Sequence, residues 1–149
     1  MSTLTEPGTG SAVAAGLERV RMASFGALTM LVLQFVIGTA YNLYGTAPTS
    51  AKSVGLFSSP LLAIHVILGI LLIIAAAVLV FRAVQAKSGA TAAASIVGLV
   101  AIVAAAGAGS SFAHDGANGA SLGMAIGTAV AMLCYAAILV IVPHGKRRG

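Results

Sequence analysis

Acidic residues are nearly missing from this chain: Glu6, Glu18 and Asp115 are the only three among 149 residues. With a single acid beyond the first 18 residues, acid–base chemistry by a pair of carboxylates is excluded on stock alone. The same shortage removes a proton relay or ion-coupling pair of carboxylates inside a membrane. Cysteine is equally scarce. Cys134 stands alone, so the chain forms no internal disulfide and has no thiolate set for a metal, and cysteine usage gives no redox compartment. A small buried apolar filler is the expected role of this thiol.

Other absences narrow the field further. Glycine is plentiful, yet no phosphate-cradling run precedes a Lys-Ser or Lys-Thr pair, and there is no His-Glu-x-x-His. No serine sits in a nucleophile elbow. The net charge of +5 suggests nucleic acid, but the basic residues sit at the ends of apolar runs and are not interleaved with aromatics. No nucleic-acid partner is expected.

Charge of either sign is what the chain lacks most. Hydrophobic residues make up 59% and charged residues 7%, with a mean hydropathy of +1.06, whereas a soluble domain is about a quarter charged. Between Met22 and Val142 only Lys52, Arg82, Lys87 and Asp115 are charged. Four apolar runs fill this stretch, over about 22–44, 60–84, 92–112 and 120–142. Each matches the roughly 20 helical residues that cross a bilayer's hydrocarbon core. Barrel strands would alternate apolar and polar residues, and these runs do not. The expectation is an all-α transmembrane four-helix bundle in the cell membrane, multi-pass, with the lipid bilayer as its first partner.

Residues 1–17 read as a flexible cytoplasmic tail, 18–143 as the membrane domain and 144–149 as a basic cytoplasmic tail. The first run resembles a signal peptide at its start, with Gly38-Thr39-Ala40 as a small-residue cleavage site. An uncleaved anchor is expected because the run is long for such a peptide. Ser58-Ser59-Pro60 is a helix start, since serine caps and proline suits the first helical position. Polar turns fall at 85–89 and 114–119, and Pro143 ends the fourth run. Short connections predict an up-down-up-down order. One side then collects Arg19, Arg21, Arg82, Lys87, Lys146, Arg147 and Arg148, and the other only Lys52 among basic residues. That bias predicts cytoplasmic N and C termini.

Few polar side chains remain to carry function. Gly119, Gly123 and Gly127 recur every fourth residue on one face of the fourth run, and Ala94, Gly98, Ala101, Ala105 and Gly109 follow a similar spacing on the third. Such stripes pack helices closely, within one chain, in a homo-oligomer or against a membrane protein partner; room for a flat cofactor is the alternative. His65 is the only strongly polar residue of the second run. It is either a neutral imidazole bonded to a neighbour such as Tyr41 or Asn42, or an axial haem ligand or a ligand to another metal. His114 and Met124 fall toward the same end and could complete a His–His or His–Met pair. Gln34, mid-run in the first helix, is expected to bond across helices or to touch a ligand. Tyr41, Asn42 and Tyr44 are interfacial anchors or walls of a pocket. His144 is expected to be solvated in the basic tail.

The segment Leu33-Gln34-Phe35-Val36-Ile37-Gly38-Thr39-Ala40-Tyr41-Asn42-Leu43-Tyr44-Gly45, with Leu62-Ala63-Ile64-His65-Val66-Ile67-Leu68-Gly69, resembles one helix pair of the haem A synthase family. That resemblance implies a four-helix unit with haem-ligating histidines near the outer helix ends, haem b as cofactor and His65 as axial ligand. The family's Glu-x-x-x-His-Arg motif is missing from the other pair, where Gly123 and Met124 stand. The whole chain also resembles the small four-span membrane proteins of actinobacteria that have no assigned function. Three functions follow as expectations: a non-catalytic accessory or interaction subunit, a b-type haem protein, or a small-molecule carrier.

Overall fold

The computed structural model describes residues 9–45, 48–49 and 51–142. Residues 1–8 of the expected N-terminal tail, Pro143 and the basic tail 144–149 lie outside the described residues. The described chain is all-α: α1 Thr9–Tyr44, α2 Pro60–Gln85, α3 Gly89–Asp115 and α4 Asn118–Ile141. All four helices are long and apolar enough to cross a membrane.

α1 begins at Thr9, well before the apolar run expected from about Met22, and takes in residues 9–17 of the expected tail. Its first turns hold several alanines, and extending a formed helix gains one hydrogen bond for each residue fixed, where nucleation fixes three residues for one bond. The added turns also find partners. A Cβ placed at Gly16 would lie 3.9 Å from the Ala86 Cβ, and Val20 is fully buried. At 36 residues, α1 is about 54 Å long, well beyond a hydrocarbon core of about 30 Å.

The turns follow local chemistry. Ser59 caps α2 by accepting the Leu62 N–H at 3.2 Å, and Pro60 occupies the first turn. Ala86-Lys87-Ser88 joins α2 to α3, with Lys87 at φ 54°. α3 runs on through His114 and Asp115, which were expected in a turn, and stops at Gly116. There a left-handed φ of 70° lets the Gly116 N–H return to the Phe112 carbonyl at 2.8 Å. Asp115 Oδ1 accepts from the Ala117 N–H at 3.0 Å, so the remaining acid serves the α3–α4 turn. The α1–α2 loop docks on the end of α3 through the Val54 N–H, which donates to the Ala113 carbonyl at 2.9 Å.

The helices form a closed ring in which α1 touches α2 and α4, and α3 touches α2 and α4. The diagonal pairs do not meet among the described residues. α3 and α4 share the most extensive contact. Small residues explain it: a Cβ at Gly127 would lie 2.9 Å from the Ala101 carbonyl oxygen and 3.0 Å from the Ala105 Cβ, and one at Gly123 would lie 3.4 Å from the Ala108 Cβ. Large apolar side chains such as Phe25, Val36, Ile74, Phe81, Val100 and Leu133 face outward, while Ser24, Thr91 and Ser95 are fully buried. A water-soluble bundle would reverse this arrangement. The exposed apolar surface points to contact with the lipid bilayer.

Burial is unequal along the bundle. Apart from Leu62 and Pro48, the buried residues lie between 20 and 31 on α1, 72 and 86 on α2 and its cap, 91 and 102 on α3, and 131 and 142 on α4 and its cap. One half of the ring is therefore packed solid. The other half, made by the end of α1, the starts of α2 and α4, and the end of α3, is hollow.

Candidate functional site

The hollow half holds a partly open cavity of about 470 Å³ lined by all four helices. Large apolar side chains such as Phe35, Leu62 and Phe112 stand in its walls, and residues too small to fill it leave the space between them. α1 contributes Gly38, α2 Gly69, α3 Ala105, Gly109 and Ala113, and α4 Ser121, Ala125 and Thr128. Pro48, Val54 and Leu56 of the α1–α2 loop close one side. No Lys, Arg, Asp or Glu is among the lining residues.

Two polar residues meet on the α1–α2 seam. Gln34 Nε2 donates to the backbone carbonyl of His65 at 2.8 Å. That carbonyl already serves the helix ladder, so the amide adds a second bond to it and ties the two helices together. Each polar side chain is seated by a glycine of the facing helix. A Cβ at Gly38 would lie 2.8 Å from His65 Cε1 and 3.4 Å from Nδ1; one at Gly69 would lie 3.0 Å from Gln34 Nε2. Gln34 precedes Gly38 by one helical turn, as His65 precedes Gly69, so each helix offers one polar group and one notch.

The pair is incompletely bonded. Gln34 Oε1 and His65 Nδ1 are buried and have no hydrogen-bond partner among the described residues. A buried polar atom without a partner costs roughly 1–3 kcal/mol. Both atoms are covered by protein rather than open to the cavity, so they are a cost the α1–α2 seam carries.

Other candidate residues distribute as follows. Tyr41 and Asn42 line the cavity near the end of α1. Met124 lines it from α4, with its Sδ 3.0 Å from where a Cβ of Gly109 would stand. His114 is exposed and is not part of the lining. Gly123 and Gly127 face α3 within the chain, whereas a Cβ at Gly119 would meet nothing within 4 Å. Cys134 is half-buried and free, outside the cavity. No cluster of three or more His, Cys, Asp or Glu suited to a metal ion occurs among the described residues.

The lining meets a haem only in part. His65 and Met124 both reach the cavity, which supplies one nitrogen and one sulfur donor of the right type. The two carboxylates of a haem find no cationic side chain in the lining, and the Gln34 Oε1 acceptor is left unexplained. The cavity walls suit a mainly apolar molecule better.

The fully buried Tyr135 carries no signal in the sequence beyond its place in the fourth run. Its ring lies on Gly98 in the packed half, where a Cβ would come within 2.6 Å of Cε1, and its hydroxyl has no partner among the described residues. The Gly98 position in the α3 stripe is the one hint that something large must cross there. No known family model, curated protein or solved structure matches this chain.

Proposed function

We propose that this protein is a non-catalytic, multi-pass protein of the cell membrane that holds one small apolar molecule in the hollow half of its bundle. The observation that carries this reading is the partly open cavity of about 470 Å³ lined by all four helices, with mainly apolar walls and a few neutral polar residues, Gln34, Tyr41, Asn42 and His65 among them. Apolar walls with a few placed polar groups are the usual composition of a small-molecule site. A bundle interior in lipid is a suitable place for a lipophile, which enters from the bilayer rather than from water.

The orientation belongs to the same reading. An up-down-up-down order is supported by paired contacts at opposite ends of neighbouring helices. Gly16 of α1 meets Ala86 just past α2 and Gly38 meets His65; Gly98 of α3 meets Tyr135 and Gly109 meets Met124. Arg19, Arg21, Arg82 and Lys87 share the end of the packed half, and the sequence adds Lys146, Arg147 and Arg148. The positive-inside bias then puts both termini in the cytoplasm and the cavity in the outer half of the bilayer.

The test uses the full chain in lipid nanodiscs and native mass spectrometry. Wild type is expected to retain a one-to-one lipophilic adduct. Thr128→Phe, which places a ring in the cavity, is expected to lose the adduct and remain folded. An adduct-free wild type, with no uptake from an added lipid extract, refutes the reading. The visible spectrum of the same sample after haem is supplied separates the haem alternative: a Soret band lost in His65→Ala would replace the apolar ligand with a haem.

A further inference from the structure

The cavity has a floor, a depth and a direction. Its lining runs from Leu31 to Asn42 on α1, from Leu62 to Ile73 on α2 and from Ile102 to Ala113 on α3. Each stretch covers eleven helical steps, a rise of about 16 Å. Leu31, Leu72 and Ile102 close the inner end, each at most 5% exposed, and the packed half lies beyond them. Polar lining residues gather at the opposite end, where Thr39, Tyr41, Asn42, Ser110 and Ser121 stand beside the α1–α2 loop. Gln34 lies deeper but uses its amide on the α1–α2 seam, and Thr128 is the one other polar side chain near the floor. The width follows from the volume. About 470 Å³ over that depth leaves a mean cross-section of about 30 Å². An extended hydrocarbon chain advances about 1.3 Å per carbon, and a methylene close to water's share of about 30 Å³ then needs about 23 Å². One chain fits this section and two do not. No Lys, Arg, Asp or Glu lines the cavity to pair with a charged head.

We infer that the cavity seats a single-chain neutral lipid such as a monoacylglycerol, its hydroxyl-bearing head among Tyr41, Asn42, Ser110 and Ser121 and its chain end on Leu31, Leu72 and Ile102. The inference rests on the small-molecule reading above and adds the head, the number of chains and their length. The depth takes about twelve carbons. Lipid tails are as apolar as these walls, so the bilayer competes evenly for every methylene and hydrophobicity alone sets no length preference. Fit sets one. A shorter chain leaves the floor uncovered and forfeits dispersion contacts, and a longer one must bend or press on buried side chains.

The probe is an equimolar mixture of saturated 1-monoacylglycerols with even chains of eight to eighteen carbons, added to nanodiscs that carry the full-length protein. Native mass spectrometry reads the bound distribution, and lipid extraction of the same nanodiscs reads the supplied one. Wild type is expected to bind the twelve-carbon ester most, with the sixteen-carbon ester depleted about tenfold against supply, the scale of overpacking in a close-packed interior. Ile102→Ala lowers the floor and is expected to move the peak to fourteen or sixteen carbons. Leu79→Ala empties a fully buried position outside the cavity and is expected to loosen the bundle with the peak unmoved. Dodecyl phosphate, of the same length but with a charged head, is expected to bind at least about tenfold less than the twelve-carbon ester. A bound distribution equal to the supplied one overturns the length inference while the cavity reading stands. A peak that stays at twelve carbons in Ile102→Ala, or moves as far in Leu79→Ala, overturns the floor. Dodecyl phosphate bound as tightly as the ester overturns the neutral head. Failure to retain any monoacylglycerol overturns the lipid class where another lipophile still forms the one-to-one adduct, and removes the cavity reading itself where none does.

Discussion

Replacing Gly98 by alanine tests the packed half of the bundle at its tightest crossing. The added Cβ would lie 2.6 Å from Tyr135 Cε1 and 2.9 Å from Cζ, against an ordinary carbon contact of about 3.5–4.0 Å. The ring must move by about 1 Å, yet Tyr135 is 0% exposed and has nowhere open to go. Overpacking of this kind costs about 1–3 kcal/mol. Alanine returns up to about 1 kcal/mol through helix propensity, so the net loss is expected near 1 kcal/mol. The sharper quantity is the coupling with Tyr135→Ala. Once the ring is gone the clash goes with it, and Gly98→Ala should become neutral or stabilising. Contact pairs of this kind couple by about 0.5–3 kcal/mol. The chain has no tryptophan, so far-UV circular dichroism during SDS titration in mixed micelles is the suitable assay. Additivity of the two substitutions within about 0.5 kcal/mol would refute the packing described for α3 and α4.

Three further predictions follow from separate parts of the molecule. Tyr135→Phe removes a buried hydroxyl with no partner among the described residues, so it should stabilise the bundle by about 1 kcal/mol in the same titration; destabilisation would mean that the hydroxyl is bonded. Gly116→Ala forces a side chain into φ 70° and against the Pro48 carbonyl, and should destabilise by at least about 1–2 kcal/mol, with faster proteolysis of the loop that docks there; an unchanged loop contradicts it. In a Cys134→Ser background, Lys52→Cys should react with an impermeant maleimide on whole cells and Lys87→Cys only after permeabilisation. Reversed labelling would invert the orientation.

The four spanning-length helices and the all-α class were legible in the sequence because hydropathy is a property of each residue, summed along a run. The α1–α2 loop was legible too, since Ser59 and Pro60 act within one turn. The start of α1 was not. Thr9 to Gly16 carries no apolar stripe, and the helix there continues from turns already formed and packed on Ala86. His114 was expected in a turn because Asp115-Gly116 follows it, but the left-handed Gly116 ends the helix only after both residues are helical.

The cavity was the least legible feature. Gln34 and His65 each stood out as polar residues in an apolar run, but their meeting depends on the register of α1 against α2. The hollow itself comes from small residues on four helices reaching the same level. Alanine and glycine stripes read alike whether they close a crossing, as Gly127 does against Ala101, or leave space, as Ala113 and Ser121 do. Tyr135 illustrates the opposite case: Gly98 marks a notch, but its occupant sits on another helix and no local pattern names it.

Photoaffinity labelling decides most directly whether the hollow half of this bundle is a binding chamber. A 4-alkylphenol with a diazirine in its chain is irradiated with the full-length protein in nanodiscs, and the labelled peptides are sequenced. Saturable labels, displaced by unlabelled 4-octylphenol, are expected within 31–42, 62–73, 102–113 and 121–128. Labels spread over lipid-facing residues such as Phe25, Ile74, Val78 and Leu133, with no displaceable component, would mean that the molecule sees only bulk lipid and that the chamber holds nothing.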